Sequence, residues 1–219
     1  MAVTLLTGVV GTAGAGDRRV ETLARAAPRI DREVLRLALI ATDCAVARSG
    51  QAATRLAVID YSRPSTEKRL WVFDLERRIL LFEELVAHGR NSGDDRSRVF
   101  SNRPGSLQTS LGLFRTGDTY EGRHGPSLRL GGLEAGTNDR ALERAIVIHG
   151  ASYVSAAGVR RLGRLARSWG CPAVRAEIAP RLIAAIKDGQ LLFAYYPDPG
   201  WLRRSRFLTC GAVARVERP

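Results

Sequence analysis

Apolar residues recur at Ile30, Val34, Leu37, Ala38, Ala41 and Ala45, the three-to-four spacing of one helix face, in a stripe that begins near Asp31 and stops at Ser49-Gly50. The spacing predicts a helix packed against another element. From Arg55 the rhythm changes to short runs rich in β-branched and aromatic residues, Leu56 to Tyr61, Arg69 to Leu75 and Ile79 to Val86, with Glu76-Arg77-Arg78 between the last two as a hairpin turn. Asn91 to Gln108 is rich in Ser, Asn, Asp, Arg and Gly and contains Pro104, which predicts a long loop of the kind that is functional or mobile in compact domains. Strand-like segments return at Thr109 to Arg115 and around Ser127 to Leu130. A polar, Gly-rich stretch then runs to Asp139, and the apolar run Ala145 to Ile148 ends on His149-Gly150. Ser155 is placed to cap a short helix through Leu165, and Ile178, Leu182, Ile183 and Ile186 mark another that stops at Gly189. Leu191 to Tyr196 reads as a final strand, after which Pro197 and Pro199 end the regular structure. No internal repeat is visible. The pattern therefore predicts a β-rich mixed α+β domain over residues 55–198. An amino-terminal segment, 1–50, carries one helix, and 199–219 form a tail.

The chain has 219 residues, 45% of them hydrophobic and 26% charged, enough apolar material for a sizeable core. No run of about 18 apolar residues occurs, so the sequence contains no transmembrane segment. The formal net charge is +12, and every basic residue except Lys68 and Lys187 is arginine. That bias fits a GC-rich coding sequence as well as a polyanion-binding surface. The basic residues are scattered, and no zinc finger, basic zipper or aromatic RNA-binding signature accompanies them, so nucleic acid is not the expected partner. A partner bearing carboxylates fits the charge better. Met1 to Gly16 is apolar and small-residue-rich ahead of Asp17-Arg18-Arg19, but it lacks a positive leading region, so it reads as a weak or truncated export signal.

The three cysteines, Cys44, Cys171 and Cys210, form no CxxC pair, which rules out zinc-ribbon and thioredoxin-like motifs. No metal or cofactor is expected. Among the three histidines, His88, His124 and His149, the last ends a buried-type strand and is followed by glycine, so its imidazole can face a cleft; a strand-end histidine bonded to a backbone carbonyl is the plain alternative. Twenty-two residues on, Arg167-Ser168-Trp169-Gly170-Cys171-Pro172 reads as a tight turn between two helical stretches. A cysteine at the start of a helix would have a lowered pKa and act as a nucleophile. The N–H groups of Trp169, Gly170 and Cys171 could then form an oxyanion hole.

Ile148-His149-Gly150, a short spacer and Ser168-Trp169-Gly170-Cys171 together resemble the murein L,D-transpeptidase catalytic domain (YkuD-like), whose pattern is His-Gly, spacer, Ser-x-Gly-Cys. Thr109-Ser110-Leu111-Gly112-Leu113-Phe114 is similar to that family's Thr-Pro-x-Gly-x-Phe strand, with Ser110 at the proline position. The sequence departs from many members at Trp169, where they have histidine, and at Ala173, where they have arginine.

The resemblance implies a YkuD-like β-sandwich or barrel with packed helices and a periplasmic or wall-associated enzyme. Its partners would be peptidoglycan stem peptides, and carbapenems would be covalent inhibitors. It implies Cys171 as nucleophile, His149 as base and then acid, Gly150 as the carbonyl that orients the imidazole, and Ser168 as a hydrogen-bonding group of the turn. Arg167 or Arg175 would receive the substrate carboxylate, and Tyr120 and Tyr153 would face the donor stem. A thioester would be resolved by an amine, giving a cross-link with release of D-alanine, by water, giving an L,D-carboxypeptidase, or by a protein lysine. A non-catalytic wall-binding module and a cysteine peptidase of unrelated fold are the competing classes. With Cys171 so assigned, Cys44 and Cys210 lie outside the catalytic block as two buried thiols or as a disulfide joining the amino-terminal helix to the tail.

Overall fold

The computed structural model describes residues 14–210. Asp31 starts the helix foreseen from the apolar stripe, accepting hydrogen bonds from the N–H groups of Glu33 (2.8 Å) and Val34 (3.1 Å), and Gly50 closes it in the left-handed conformation. This is α2 (Arg32–Ser49). It is preceded by α1 (Ala15–Ala26), a second helix where the sequence pattern indicated one. Leu23, Ala24 and the C-cap residue Ala27 give α1 a buried stripe, and the helix contacts α2 and β3 (Ile79–Glu84). Most of the expected export signal lies outside the described residues.

Eight strands form one sheet. In chain order they are β1 (Arg55–Asp60), β2 (Leu70–Asp74), β3, β4 (Gly112–Gly122), β5 (Gly125–Gly132), β6 (Val147–Ala151), β7 (Ala173–Arg175) and β8 (Leu191–Tyr195), and their spatial order is β3-β2-β1-β8-β4-β5-β6-β7. The pairings β1–β8 and β6–β7 are parallel and the others antiparallel. Leu56 to Ile59 and Leu70 to Phe73 are fully buried, as unbroken apolar strands must be when both faces of a sheet are covered. Helices α2 and α4 (Ala179–Ile186) supply that cover, packing Leu35, Ala38, Leu182 and Ile186 into the same core. Beyond β3 the chain crosses to the far edge, where the Ala87 N–H donates to the Ala173 carbonyl at 2.8 Å. The sheet is thereby nearly closed, and the mixed α+β, barrel-like class expected from the sequence is the one observed.

Two local expectations are corrected. Pro199 does not end the regular structure: it occupies the first turn of α5 (Pro199–Arg204), where a missing N–H costs nothing, and Asp198 caps that helix by accepting from the Trp201 N–H at 2.6 Å. Trp201 is buried and its indole N–H donates to the Glu134 carboxylate at 3.0 Å, so the beginning of the presumed tail belongs to the core. The long loop 91–108 is present and is tied down by hydrogen bonds. Asn102 donates to Asp139 at 2.7 Å and Asn91 to the Ser106 carbonyl at 3.0 Å, while the loop's carbonyls at Ser101 and Gln108 accept from Arg144.

Cys44 on α2 and Cys210 are joined as a disulfide with Cα atoms 5.8 Å apart, and Cys171 is the free cysteine. Closure of a loop this long contributes about 5 kcal/mol in the chain-entropy account. Peptide mapping without reductant should therefore give a linked Cys44–Cys210 peptide and one alkylatable thiol, and reduction should lower Tm. Three alkylatable thiols in oxidatively purified protein would contradict the bridge.

Candidate active site

His149 and the Ser168–Cys171 turn arrive at one place because of strand register. Tyr120 on β4 pairs with Ser127 on β5, Ser127 pairs with His149 on β6, and His149 pairs with Ala173 on β7. Directly paired residues project to the same face of a sheet, so Tyr120, Ser127 and His149 share one row. Cys171 stands two residues before Ala173, at the end of that row.

The turn itself is built by hydrogen bonds. Ser168 Oγ donates to the Cys171 carbonyl at 2.6 Å and accepts from the Gly170 N–H at 3.1 Å. This is the turn-ordering bond expected of Ser168. It also engages one of the three N–H groups assigned to an oxyanion hole, leaving those of Trp169 and Cys171. Gly170 has φ +122°, and a Cβ there would lie 2.8 Å from the Gln108 carbonyl oxygen and 3.3 Å from Arg144 Nη2, so only glycine fits. The turn is clamped from behind: the Ser168 N–H donates to the His88 carbonyl (2.9 Å) and the Arg90 N–H to the Ser168 carbonyl (2.8 Å). Thr109, the first residue of the Thr-Ser-Leu-Gly-Leu-Phe strand, accepts from the Gly89 N–H at 2.9 Å and donates to the Gly170 carbonyl at 3.5 Å.

Cys171 is not at the start of a helix. Pro172 leads into the three-residue strand β7, and the next helix begins at Ala179, so no helix dipole acts on the sulfur. Burial pushes the Cys171 thiol above its ordinary pKa, while a backbone hydrogen bond and the nearby Arg144 guanidinium pull it partly back. The thiol points to the Ala145 carbonyl at 3.7 Å, and Ala145 holds a left-handed backbone (φ +52°) to present it.

His149 is 6% exposed, and its Nδ1 lies 2.8 Å from the Gly150 carbonyl. That contact fixes Nδ1 as the protonated nitrogen of the neutral ring and frees Nε2 as an acceptor. Burial holds the imidazole pKa below the ordinary value; the Gly150 carbonyl opposes this, and the neighbouring His124 reinforces it. The His124 ring stacks on His149 with centroids 4.7 Å apart and planes 24° from parallel. The resting pair at neutral pH is thus a neutral thiol and a neutral imidazole.

The other expected residues divide. Tyr153 is half-buried near the sulfur, its phenol pushed up to about 12 by burial and then by Cys171. It lines an open groove of about 270 Å³ together with Ser152, Ser155, Arg161 and Leu162. Tyr120 is exposed and lies under the Arg129 guanidinium, 4.4 Å from the ring centroid. Arg175 is engaged by the buried Glu84 carboxylate (2.7 and 2.9 Å) and by Glu177 (2.9 Å). Arg167 pairs with the exposed Asp94 at 2.9 Å and also donates to the Arg90 (3.2 Å) and Gly93 (2.9 Å) carbonyls. Trp169 is 70% exposed beside the sulfur.

Sequence reasoning missed Arg144. Its guanidinium donates to the Ser101 and Gln108 carbonyls and to the hydroxyls of Ser106 and Ser110, binding the 101–110 segment beside the Ser168–Cys171 turn. Among the described residues no carboxylate forms an ion pair with it. The signal available in the sequence is its position directly before the apolar run Ala145 to Ile148.

No curated protein sequence matches the chain. The fold is similar to an L,D-transpeptidase from Mycobacterium smegmatis (13% identity, TM-score 0.41, covering 66% of this chain and 60% of that one). It is also similar to Mycobacterium tuberculosis L,D-transpeptidase 1 (12%, 0.37, 65% and 62%). A third similar structure is Mycobacterium tuberculosis L,D-transpeptidase 3 in complex with a faropenem-derived adduct (13%, 0.39, 65% and 60%). This chain spans about 60% of the length of the first of these. Residues 26–195 match the L,D-transpeptidase catalytic domain, a stretch that includes β1 to β8, His149-Gly150 and the Ser168–Cys171 turn. The chain belongs to the L,D-transpeptidase catalytic domain family.

Proposed function

We propose that this protein cross-links peptidoglycan stem peptides through a thioester on Cys171, with His149 as the proton carrier. The observation that carries the reading is the His149 Nδ1 contact with the Gly150 carbonyl, which frees Nε2 as a base beside the cysteine turn without an acidic third residue. Because both groups are neutral at rest, His149 takes the thiol proton as the sulfur attacks an L-centred carbonyl of the stem. It then returns that proton to the departing D-alanine amine. The N–H groups of Trp169 and Cys171 stabilise the developing oxyanion, while the Ser168 bonds keep the turn from relaxing. An amine of a second stem resolves the thioester. The groove beside Tyr153 and Arg161 and the Arg167–Asp94 pair give a carboxylate-rich substrate cationic contacts. The Cys44–Cys210 bridge supports an extracytoplasmic, cell-envelope location.

Incubation with a carbapenem should add one drug mass to a peptide containing Cys171, and Cys171→Ala should abolish the adduct. His149→Ala should slow its formation by about 100-fold or more. An adduct retained in Cys171→Ala would overturn the assignment.

The resting protonation state is open to a separate check. A raised thiol pKa means the thiolate fraction is small below the ordinary thiol range, about 8.5, and grows through and above it. Alkylation of Cys171 by iodoacetamide should therefore keep rising beyond pH 8.5. A plateau reached below pH 7 would instead reveal a thiolate–imidazolium pair.

Tetrapeptide-stem muropeptides should yield dimers joined between two diaminopimelate residues, with free D-alanine released in step. D-alanine accompanied only by tripeptide monomers, even at high acceptor concentration, would make the enzyme an L,D-carboxypeptidase. Cys171→Ser and His149→Ala should lose both products together.

A further inference from the structure

The stacked imidazole of His124 has no part in the chemistry described so far. It sits at the tip of the β4–β5 hairpin, in the two-residue connection Arg123-His124 between Gly122 and Gly125, which pair with each other across the turn. The Tyr120–Ser127–His149 register then fixes the hairpin against β6 so that its tip overhangs His149. The two rings differ in setting: His149 is buried with Nδ1 committed, whereas His124 is exposed. Glu121 and Arg123 flank His124 in the sequence of the hairpin, and His149 on β6 stacks against its ring.

Proton accounting distinguishes the two halves of the reaction. In acylation one proton travels from the thiol to His149 and on to the departing amine, and the balance closes. Transfer to an amine does not close in the same way. The acceptor amine of diaminopimelate is an α-amine whose pKa, about 8 or higher, lies above neutrality, so at pH 7 most of the acceptor arrives as an ammonium with two protons to lose. His149 can accept one, which it must deliver to the Cys171 sulfur as the C–S bond breaks. The other needs a second base.

We propose that His124 is that base, a catalytic residue specific to the transfer half-reaction. This rests on the transferase reading above. A neutral ring nitrogen of His124 takes the first proton from the acceptor ammonium. The freed amine forms the new C–N bond with the thioester carbonyl, its second proton passes through His149 to sulfur, and the carbonyl carbon–sulfur bond breaks. The His124 imidazolium then loses its proton to water. The sum is ammonium plus thioester giving amide, thiol and one proton to solvent. Exposure of His124 suits both steps, because it must meet an incoming macromolecular amine and then discharge to bulk water.

The test compares the full-length protein with His124→Asn, which keeps a polar planar side chain but cannot take up a proton. Three rates are read: carbapenem adduct formation on Cys171, dimer formation from tetrapeptide-stem muropeptides at pH 7 and pH 9, and hydroxamate formation when hydroxylamine, already neutral at pH 7, replaces the acceptor stem. At pH 7 dimer formation in His124→Asn should fall about 100-fold more than adduct formation does. The deficit should shrink at pH 9, where more acceptor is neutral, and hydroxamate formation should lose no more than adduct formation does. An equal loss of adduct and dimer formation would show that His124 only supports His149. A loss of dimers that persists at pH 9 would show that it only binds the acceptor. Dimers formed at the wild-type rate would remove the assignment and leave the transferase reading standing. A wild-type enzyme that forms no dimers would remove the transferase reading and the His124 assignment with it.

Discussion

Parallel pairing of β6 with the three residues of β7 is the contact on which the site depends. It is a short ladder, His149 to Ala173, Gly150 to Val174 and Ala151 to Arg175, between segments separated by a helix and a turn. Such a ladder is too small to hold itself. Its outer edge is completed by the Ala87 and Arg90 hydrogen bonds from the segment that follows β3. Behind that edge Arg69 is fully buried, its guanidinium pushed down to about 10 by burial, and it lies 2.8 Å from His88 Nδ1 while donating to the Val86 and Arg63 carbonyls. Burial and then the Arg69 charge push His88 down to about 4, so it stays neutral at physiological pH. A buried cation satisfied by neutral acceptors fixes the edge strand, the edge strand fixes the turn, and the turn fixes the sulfur.

The electrostatics of the site follow from desolvation more than from paired charges. Cys171 and His149 both move toward their neutral forms, the thiol upward and the imidazole downward. A pair prepared in this way has no ion pair to disrupt when a peptide enters and displaces water. The cationic groups sit at the margins: Arg144 at the loop, Arg167 on an exposed carboxylate and Arg161 in the groove.

What could be read in the sequence was local. Ser155 caps its helix through the Gly158 N–H at 3.0 Å, the Asp31 and Gly50 boundaries hold α2, and the glycine preceding Cys171 takes a positive φ in the turn; Gly150, read as a sharp turn after His149, instead continues β6, and its missing Cβ makes room for Ala176 and Ala179. What could not be read was non-local. Pro172 after a Gly-Cys pair suggests the start of a helix, and only the pairing with β6 makes the following residues a strand. Pro199 reads as a terminator until Glu134, far away in the chain, supplies the partner that buries Trp201. Arg144 was hidden among more than thirty similar side chains, because its partners are loop carbonyls and hydroxyls that leave no pattern in sequence.

The raised pKa of Cys171 also bears on survival of the sulfur. Oxidants and disulfides react with thiolates far faster than with thiols. An environment oxidising enough to join Cys44 to Cys210 would convert a permanently ionised third cysteine to sulfenic acid or to a mixed disulfide. With its pKa raised by burial and its sulfur 3.7 Å from the Ala145 carbonyl, Cys171 presents little thiolate at neutral pH. The desolvation that suppresses the thiolate thereby acts as chemical protection.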